Sequence, residues 1–449
     1  MIQIPIISTS KFRLLSAREI TRCSPQTPAI SLRQSELTQS GPLHHFYIIS
    51  LTLPPQNSAE QETRKRRAAK SGNKLGNPIK LKSKILGAVL DPHSPTSTIF
   101  IAESAGAVRR VNVDVEGTTT VYRGPTAPVS CVAIGGPSSK TIFAGSWDKT
   151  IYSWDVDTKL PGHTFSGHSD FVKALVCGQM NGKHYLISGG ADKKIIVWDI
   201  ETGKRQHTLQ DKEVNMMSLQ DLVIDHASSS PDEISLISAS SDPHIRRWKI
   251  RADGWEQVVE PNPVVPGTER RTIVEHETTV YKLALPHPGD EDDEEVDLWT
   301  SSGDGTAKCL SRLRGFTCED TYQHGGHVRA VAVTRDWVIT AGRDENVKFW
   351  NRTSGALYCT LEGHFDEVTD LVVLRGENGV ESRVCSVSID GTVRTWPLGI
   401  RALETLVEEQ RKLVEGKGEE EEDEKEGGAG NLLSADEEAE LAALMEEDD

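Results

Sequence analysis

The chain is poor in cysteine. Seven are scattered over 449 residues (Cys23, Cys131, Cys177, Cys309, Cys318, Cys359 and Cys385), and no two stand in CxxC spacing. An odd, dispersed set argues against a disulfide framework and a cysteine zinc site, and it suits a reducing compartment. Long apolar runs are missing too. The longest candidate, 46–53, falls far short of the roughly 20 residues needed to cross a bilayer, so no membrane role is expected. The chain also lacks a P-loop, a GxGxxG turn and an HExxH pair. No catalytic, cofactor-binding or metal-binding residue is therefore assigned, and no cofactor is expected.

Charge is abundant but unevenly spread. The net charge is −17; residues 1–83 carry +9 and residues 401–449 carry −14. The two ends thus differ in kind from the body and from each other. Residues 1–70 keep no sustained period and read as a disordered basic arm. Lys11, Arg13, Arg18 and Arg22 resemble a mitochondrial transit peptide, but Glu19 and interrupting prolines weaken that reading. Arg64, Lys65, Arg66 and Arg67, followed by Lys70, Lys74, Lys80 and Lys82, form a block that an import receptor or a phosphate backbone can read. No aromatic residue interleaves with it, so base stacking is not indicated. The block points to the nucleus, nucleolus included, with the cytoplasm as the other destination.

What the chain does have is a repeat, and 167–199 is its best copy. Three β-type runs, 171–176, 185–188 and 195–199, are separated by turn residues, as in a small antiparallel sheet. Within it Asp192 precedes Trp198 by six positions. The same offset recurs at Asp148/Trp154, Asp242/Trp248, Asp344/Trp350 and Asp390/Trp396, with weaker copies at Ala105/Val111 and Asp304/Leu310. The closing positions 111, 154, 198, 248, 310, 350 and 396 are spaced by 43, 44, 50, 62, 40 and 46 residues. Fixed-period self-similarity of this kind marks a repeat architecture.

The units resemble WD40 repeats, which open near a Gly-His and close on Trp-Asp every ~40–45 residues. The resemblance covers about 75–397 and implies an all-β fold, a seven-bladed β-propeller over 71–397. It also implies a hydrogen-bonded tetrad in each well-formed unit: His168, Ser188, Asp192 and Trp198 in the third, and His364, Ser386, Asp390 and Trp396 in the seventh. In the sixth, Thr340, Asp344 and Trp350 match, and His324 is favoured over His327 by its four-residue spacing to the strand valine. The fifth keeps His276, Thr300 and Asp304 but has Leu310 for Trp. The second and fourth lack the His, and the first lacks nearly everything. A Ser/His/Asp set that recurs unit after unit, each time with a Trp, is a structural network rather than a catalytic triad. Ring closure needs a fourth strand for the last blade; the candidate is 78–82, with 47–53 as the alternative.

In this family the residue before the turn Asp and those flanking the strand valine often face partners. Carried over, these are Trp147, Ala191, Arg343 and Ile389, then Phe171, Lys173, Tyr281, Arg329 and Glu367. Trp147, Phe171 and Tyr281 beside Lys173, Arg329 and Arg343 suggest a groove for an acidic or phosphorylated segment. Insertions 255–266 and 290–295 read as solvated spacers. After Pro397 an amphipathic helix is expected over 398–415. An acidic disordered tail, 416–449, follows, with a short capped helix from Ser434 that suits docking in a partner groove. The sequence thus points to a non-catalytic scaffold joining protein partners in a multiprotein complex in ribosome assembly, chromatin or RNA processing. A ubiquitin-ligase substrate receptor and a non-catalytic subunit of a nucleic-acid-modifying enzyme are the alternatives.

Overall fold

A computed structural model describes residues 31–33, 48–50 and 65–427, except 66, 69, 116, 118, 264 and 287–295; for 414–427 it describes the backbone alone. Two compact units divide the chain, Met1–Lys65 and Arg66–Asp449. In the first, Ser31–Arg33 pairs antiparallel with Ile48–Ser50.

In the second unit the alternating runs form seven antiparallel sheets. Their inner strands are Ile85–Leu90, Val129–Gly135, Val172–Met180, Leu219–Ile224, Val280–Ala284, Val328–Val333 and Val368–Arg375. Each inner strand lies against the next, and the seventh lies against the first, so the ring closes. No single sheet can bury both of its faces; the core is therefore made between blades. Between the third and fourth, for example, Ala174, Ile187 and Val197 pack with Leu222, Leu236 and Trp248. The seventh blade takes its fourth strand from Ile79–Lys80, which pairs with Val393 and Thr392. The candidate 78–82 therefore contains the closing strand, while Ile48–Ser50, inside the alternative 47–53, pairs elsewhere.

The insertion 255–266 is not a spacer. Trp255–Gln257 and Thr272–Val274 share the outer edge of His244–Arg251, and Glu260–Pro261 pairs with Glu269–Arg270 between them. Arg247 and Arg270 both meet Glu260. The Arg247 and Arg312 guanidinium groups lie 4.8 and 5.2 Å from the Phe316 ring centroid. The acidic insertion 290–295 lies outside the described residues.

The helix Ile400–Gly427 starts where Leu398 N–H bonds Ser382 O and buries Leu403 against Trp337 and its neighbours. The periodic apolar residues end near 414, yet the helix backbone runs on to Gly427, because Glu and Lys are themselves good helix formers. The capped segment from Ser434 lies outside the described residues.

Candidate partner-binding face

The tetrads set the geometry of one end of the ring. In the third blade His168 contacts Asp192 through Nδ1 (3.0 Å) and Ser188 through Nε2 (2.8 Å), while Trp198 Nε1–H donates to Ser188 Oγ (2.9 Å). The seventh repeats this with His364, Asp390, Ser386 and Trp396 at 2.9, 2.7 and 2.9 Å. In both blades the hydroxyl thus sits between the indole N–H, which donates to it, and the Nε2 of the histidine, while Nδ1 faces the carboxylate. In the sixth blade the ring is reversed, with His324 Nδ1 on Thr340 and Nε2 on Asp344, both at 2.8 Å. His327 instead lies exposed in the adjoining loop. In the fifth, His276 holds Asp304 (2.8 Å) and Thr300 (2.7 Å) without an indole. Burial would raise the Asp192, Asp304, Asp344 and Asp390 carboxyls, but the histidine hydrogen bonds outweigh it and hold all four below the usual range.

The fourth blade solves the missing histidine in a way the repeat pattern did not reveal. Arg246 and Asp211, both wholly buried, meet at 2.8 Å, and Arg246 also reaches Ser240 and Asp242 at 3.1 Å. Trp248 Nε1–H still donates to Ser238 (2.9 Å). A signal was present: Arg246 stands two before Trp248, where the period-2 pattern puts a core side chain.

Above this network a second regularity builds the face. In each blade the residue opening the turn between the second and third strands donates its N–H to the residue just before the inner strand. Ser104 bonds Lys84, Trp147 bonds Pro128, Ala191 bonds Phe171, Ser241 bonds Ser218, Gly303 bonds Thr279, Arg343 bonds His327, and Ile389 bonds Glu367, all at 2.7–3.0 Å. Every inner strand also shifts register one residue beyond its first position, leaving Leu86, Ser130, Lys173, Gln220, Tyr281, Arg329 and Thr369 unpaired. Such bulges re-aim a side chain. Sequence alone does not reveal them.

Three of the six candidate binding residues, Lys173, Tyr281 and Arg329, are bulge residues at the channel mouth. Lys173 Nζ donates to Gln220 Oε1 (2.9 Å). Arg329 lies 4.3 Å over the Tyr281 ring and forms an ion pair with Glu367 at 2.9 Å, out of hydrogen-bond alignment. Burial, then the Arg329 charge, holds the Lys173 ammonium below the usual lysine range. Trp147 and Phe171 stack at 5.1 Å and 17°, yet remain 41% and 40% exposed. Arg343 is exposed on its turn. The structure thus joins Trp147 to Phe171 and Tyr281 to Arg329.

One layer deeper, Lys282 Nζ reaches Asp370 Oδ1 and Oδ2 at 3.0 and 3.1 Å, tying the fifth blade to the seventh. Asp370 and Asp221 also accept Ala88 and Leu283 N–H from the next blades (3.2 and 2.9 Å). Burial alone would depress the Lys282 ammonium, but Asp370 and Asp221 outweigh it and hold it above the usual range.

Of the basic block, Arg64 and Arg66 lie outside the described residues. Lys65 and Arg67 are helical, Arg67 pairs with Asp366 at 2.9 Å, and the following Lys70 pairs with Glu345 at 3.0 Å.

Comparison with known proteins agrees with this architecture. The family model for the tRNA methyltransferase TRM82 WD40 domain matches residues 163–256, and the model for the WD domain, G-beta repeat, matches 117–155 and 316–351. An uncharacterized WD repeat-containing protein of Schizosaccharomyces pombe is 28% identical over 343 residues, 74% of this chain and 85% of that protein. The nuclear distribution protein nudF of Aspergillus niger is 25% identical over 355 residues, 73% of this chain and 72% of that protein. The crystal structure of the WD40 β-propeller domain of Doa1 superposes with a TM-score of 0.55 at 20% identity, covering 74% of this chain and 99% of that one. With seven closed blades, tetrads in their expected register and WD-repeat relatives on both sides of the comparison, the chain is a WD40-repeat β-propeller protein.

Proposed function

We propose that this propeller is a non-catalytic scaffold subunit of a multiprotein complex in the nucleus, and that the Trp147–Phe171 edge of the channel mouth receives its partner. The carrying observation is the stacked, half-exposed Trp147–Phe171 pair at positions with no core to fill. Aromatic and arginine side chains are the usual anchors of protein interfaces. Charge complements them. Asp366, Glu345 and Glu367 on the sixth and seventh blades already hold Arg67, Lys70 and Arg329. Lys173 meets only a neutral amide there, so the mouth favours an acidic or phosphorylated segment. The Ser, His and Asp residues that would invite a hydrolytic reading are committed to the tetrads.

Affinity purification with mass spectrometry, comparing the full chain with Trp147→Ala, tests the reading. Loss of a partner from the variant supports it; an unchanged partner set overturns it. Truncating an interface anchor costs at least about 2 kcal/mol, roughly thirtyfold in affinity, while the same change on a half-exposed turn costs the fold about 1 kcal/mol or less. The TRM82 match over 163–256 favours a more specific version, in which the complex contains a tRNA-modifying methyltransferase. Recovery of a methyltransferase whose methyl transfer to tRNA depends on this chain supports that version, and a partner set without one removes it.

A further inference from the structure

Six of the seven blades pass from their second strand to their third through one left-handed residue, the one after the turn Asp (after Ala105 in the first blade). Blades one, five and seven place glycine there, Gly106, Gly305 and Gly391, at φ 76, 87 and 78. Blades two, three and six place Lys149, Lys193 and Glu345, at φ 74, 64 and 71. A residue with a Cβ is strained in that region, and glycine is not. Glu345 has a visible use for its side chain, since it holds Lys70 at 3.0 Å.

Lys149 and Lys193 form no ion pair among the described residues. The acids beside them are engaged by their own turns. Asp148 accepts Thr126 N–H, Thr150 N–H and the Tyr152 hydroxyl at 3.3, 3.1 and 3.0 Å. Asp192 meets His168 Nδ1 at 3.0 Å and accepts Ser169 N–H at 2.9 Å. Backbone strain of this kind persists where function uses it. The two lysines also flank the aromatic stack. Lys149 stands two residues after Trp147, and Lys193 two after Ala191, whose N–H bonds Phe171 O at 2.7 Å. The Trp147–Phe171 contact joins the two turns, and Lys194 follows in the second of them.

We infer that the turns 147–149 and 191–194 form a rail for the carboxylates of an acidic peptide segment in a partner protein, with an apolar side chain of that segment on the Trp147–Phe171 stack. This rests on the reading that the Trp147–Phe171 edge receives the partner. It adds where the acids go: beyond Lys173, outward over the strained turns of the second and third blades. Charge complementarity selects the acids. Cations on both sides of one apolar stack suit a peptide whose acids flank an apolar residue, whereas a phosphate backbone needs cations along a continuous track.

The test uses the full chain, expressed in cells and purified with its partners. Four forms are compared: wild type, Trp147→Ala, Lys149→Gly with Lys193→Gly, and Lys149→Glu with Lys193→Glu. The glycines relieve the turns, so the urea midpoint is expected to hold or rise while partner recovery falls about fivefold, the worth of two exposed charge pairs. The glutamates are expected to remove the partner through like-charge repulsion. Carbodiimide coupling of the wild-type complex is expected to join Lys149 or Lys193 to Asp or Glu of the partner. Full recovery with both lysine variants, while Trp147→Ala loses the partner, overturns the inference and leaves the binding edge standing. A partner retained by Trp147→Ala overturns that edge, and the inference with it. A lowered midpoint in the glycine variant assigns the lysines to the fold and overturns it, as do couplings confined to other lysines. A partner that depends on the lysines but is released by nuclease also overturns it, because the turns then hold a nucleic acid.

Discussion

Replacing Asp211 by Ala is expected to destabilise the propeller more than any other single carboxylate deletion in the fourth blade. The side chain is wholly buried; one oxygen accepts Glu213 and Val214 N–H at 3.0 Å, and the other meets Arg246 at 2.8 Å and Gln257 at 3.2 Å. These bonds outweigh the burial that would raise its carboxyl, and hold it below the usual range. The substitution takes away one of the two carboxylates that hold a guanidinium with no exposed surface, leaving Asp242 at 3.1 Å as its remaining acid. Breaking a buried pair from one side costs about 3–5 kcal/mol, a large share of the roughly 5–15 kcal/mol that holds a domain folded. With a denaturant slope near 3 kcal/mol/M, the urea midpoint followed by tryptophan fluorescence falls by about 1–1.7 M. Replacing the pair together, Asp211→Leu with Arg246→Met, is expected to cost less than Asp211→Ala alone, because the wholly buried guanidinium goes with its partner and only the partly exposed Asp242 loses a contact. A loss below about 1 kcal/mol for Asp211→Ala would refute the reasoning.

Two further predictions concern the seventh blade. Burial pushes the His364 pKa down, against the pull of Asp390, so the folded ring stays neutral where the unfolded one takes up a proton below about pH 6.5. The unfolded state then binds more protons, and stability falls as pH drops from 7 to 5, by up to about 1.4 kcal/mol per unit; His364→Gln should flatten that slope in denaturation series, and an unchanged slope would assign it to other groups. Gly76 sits at φ +70 with the Trp396 ring 2.9–3.1 Å from where a Cβ would stand. Gly76→Val is expected to cost about 2–4 kcal/mol from left-handed strain and overpacking, read as a lowered urea midpoint; a change under 1 kcal/mol would mean that this segment does not press on the blade.

How much of this was legible follows from which physics has a period. The Asp-to-aromatic offset exposed five units and its frame placed two weaker copies, and the four-residue spacing to Val328 selected His324, because strand alternation and turn length are written locally. Ile79–Lys80 could be placed because an open edge demands a partner. The bulges that turn Lys173, Tyr281 and Arg329 to the channel mouth leave no mark in the pattern, since they reflect pairing with the neighbouring strand. Asp211 and Arg246 stand 35 residues apart, and only the fold brings them together. The anchors of the fifth-repeat insertion were likewise invisible, because Arg247 and Arg270, which hold Glu260, lie outside it in sequence. The stacked Trp147 and Phe171 were found for the opposite reason: apolar rings at turn positions contradict the local polarity.

The central claim, that this propeller works through its channel mouth, is tested most directly by hydrogen exchange of the chain alone and within its purified complex. The account predicts protection on assembly at 145–149, 169–174 and 327–330, around Trp147, Phe171, Lys173 and Arg329. Protection confined to the turns at the opposite end of the blades, 156–160 and 200–204, with the mouth unchanged, would contradict it.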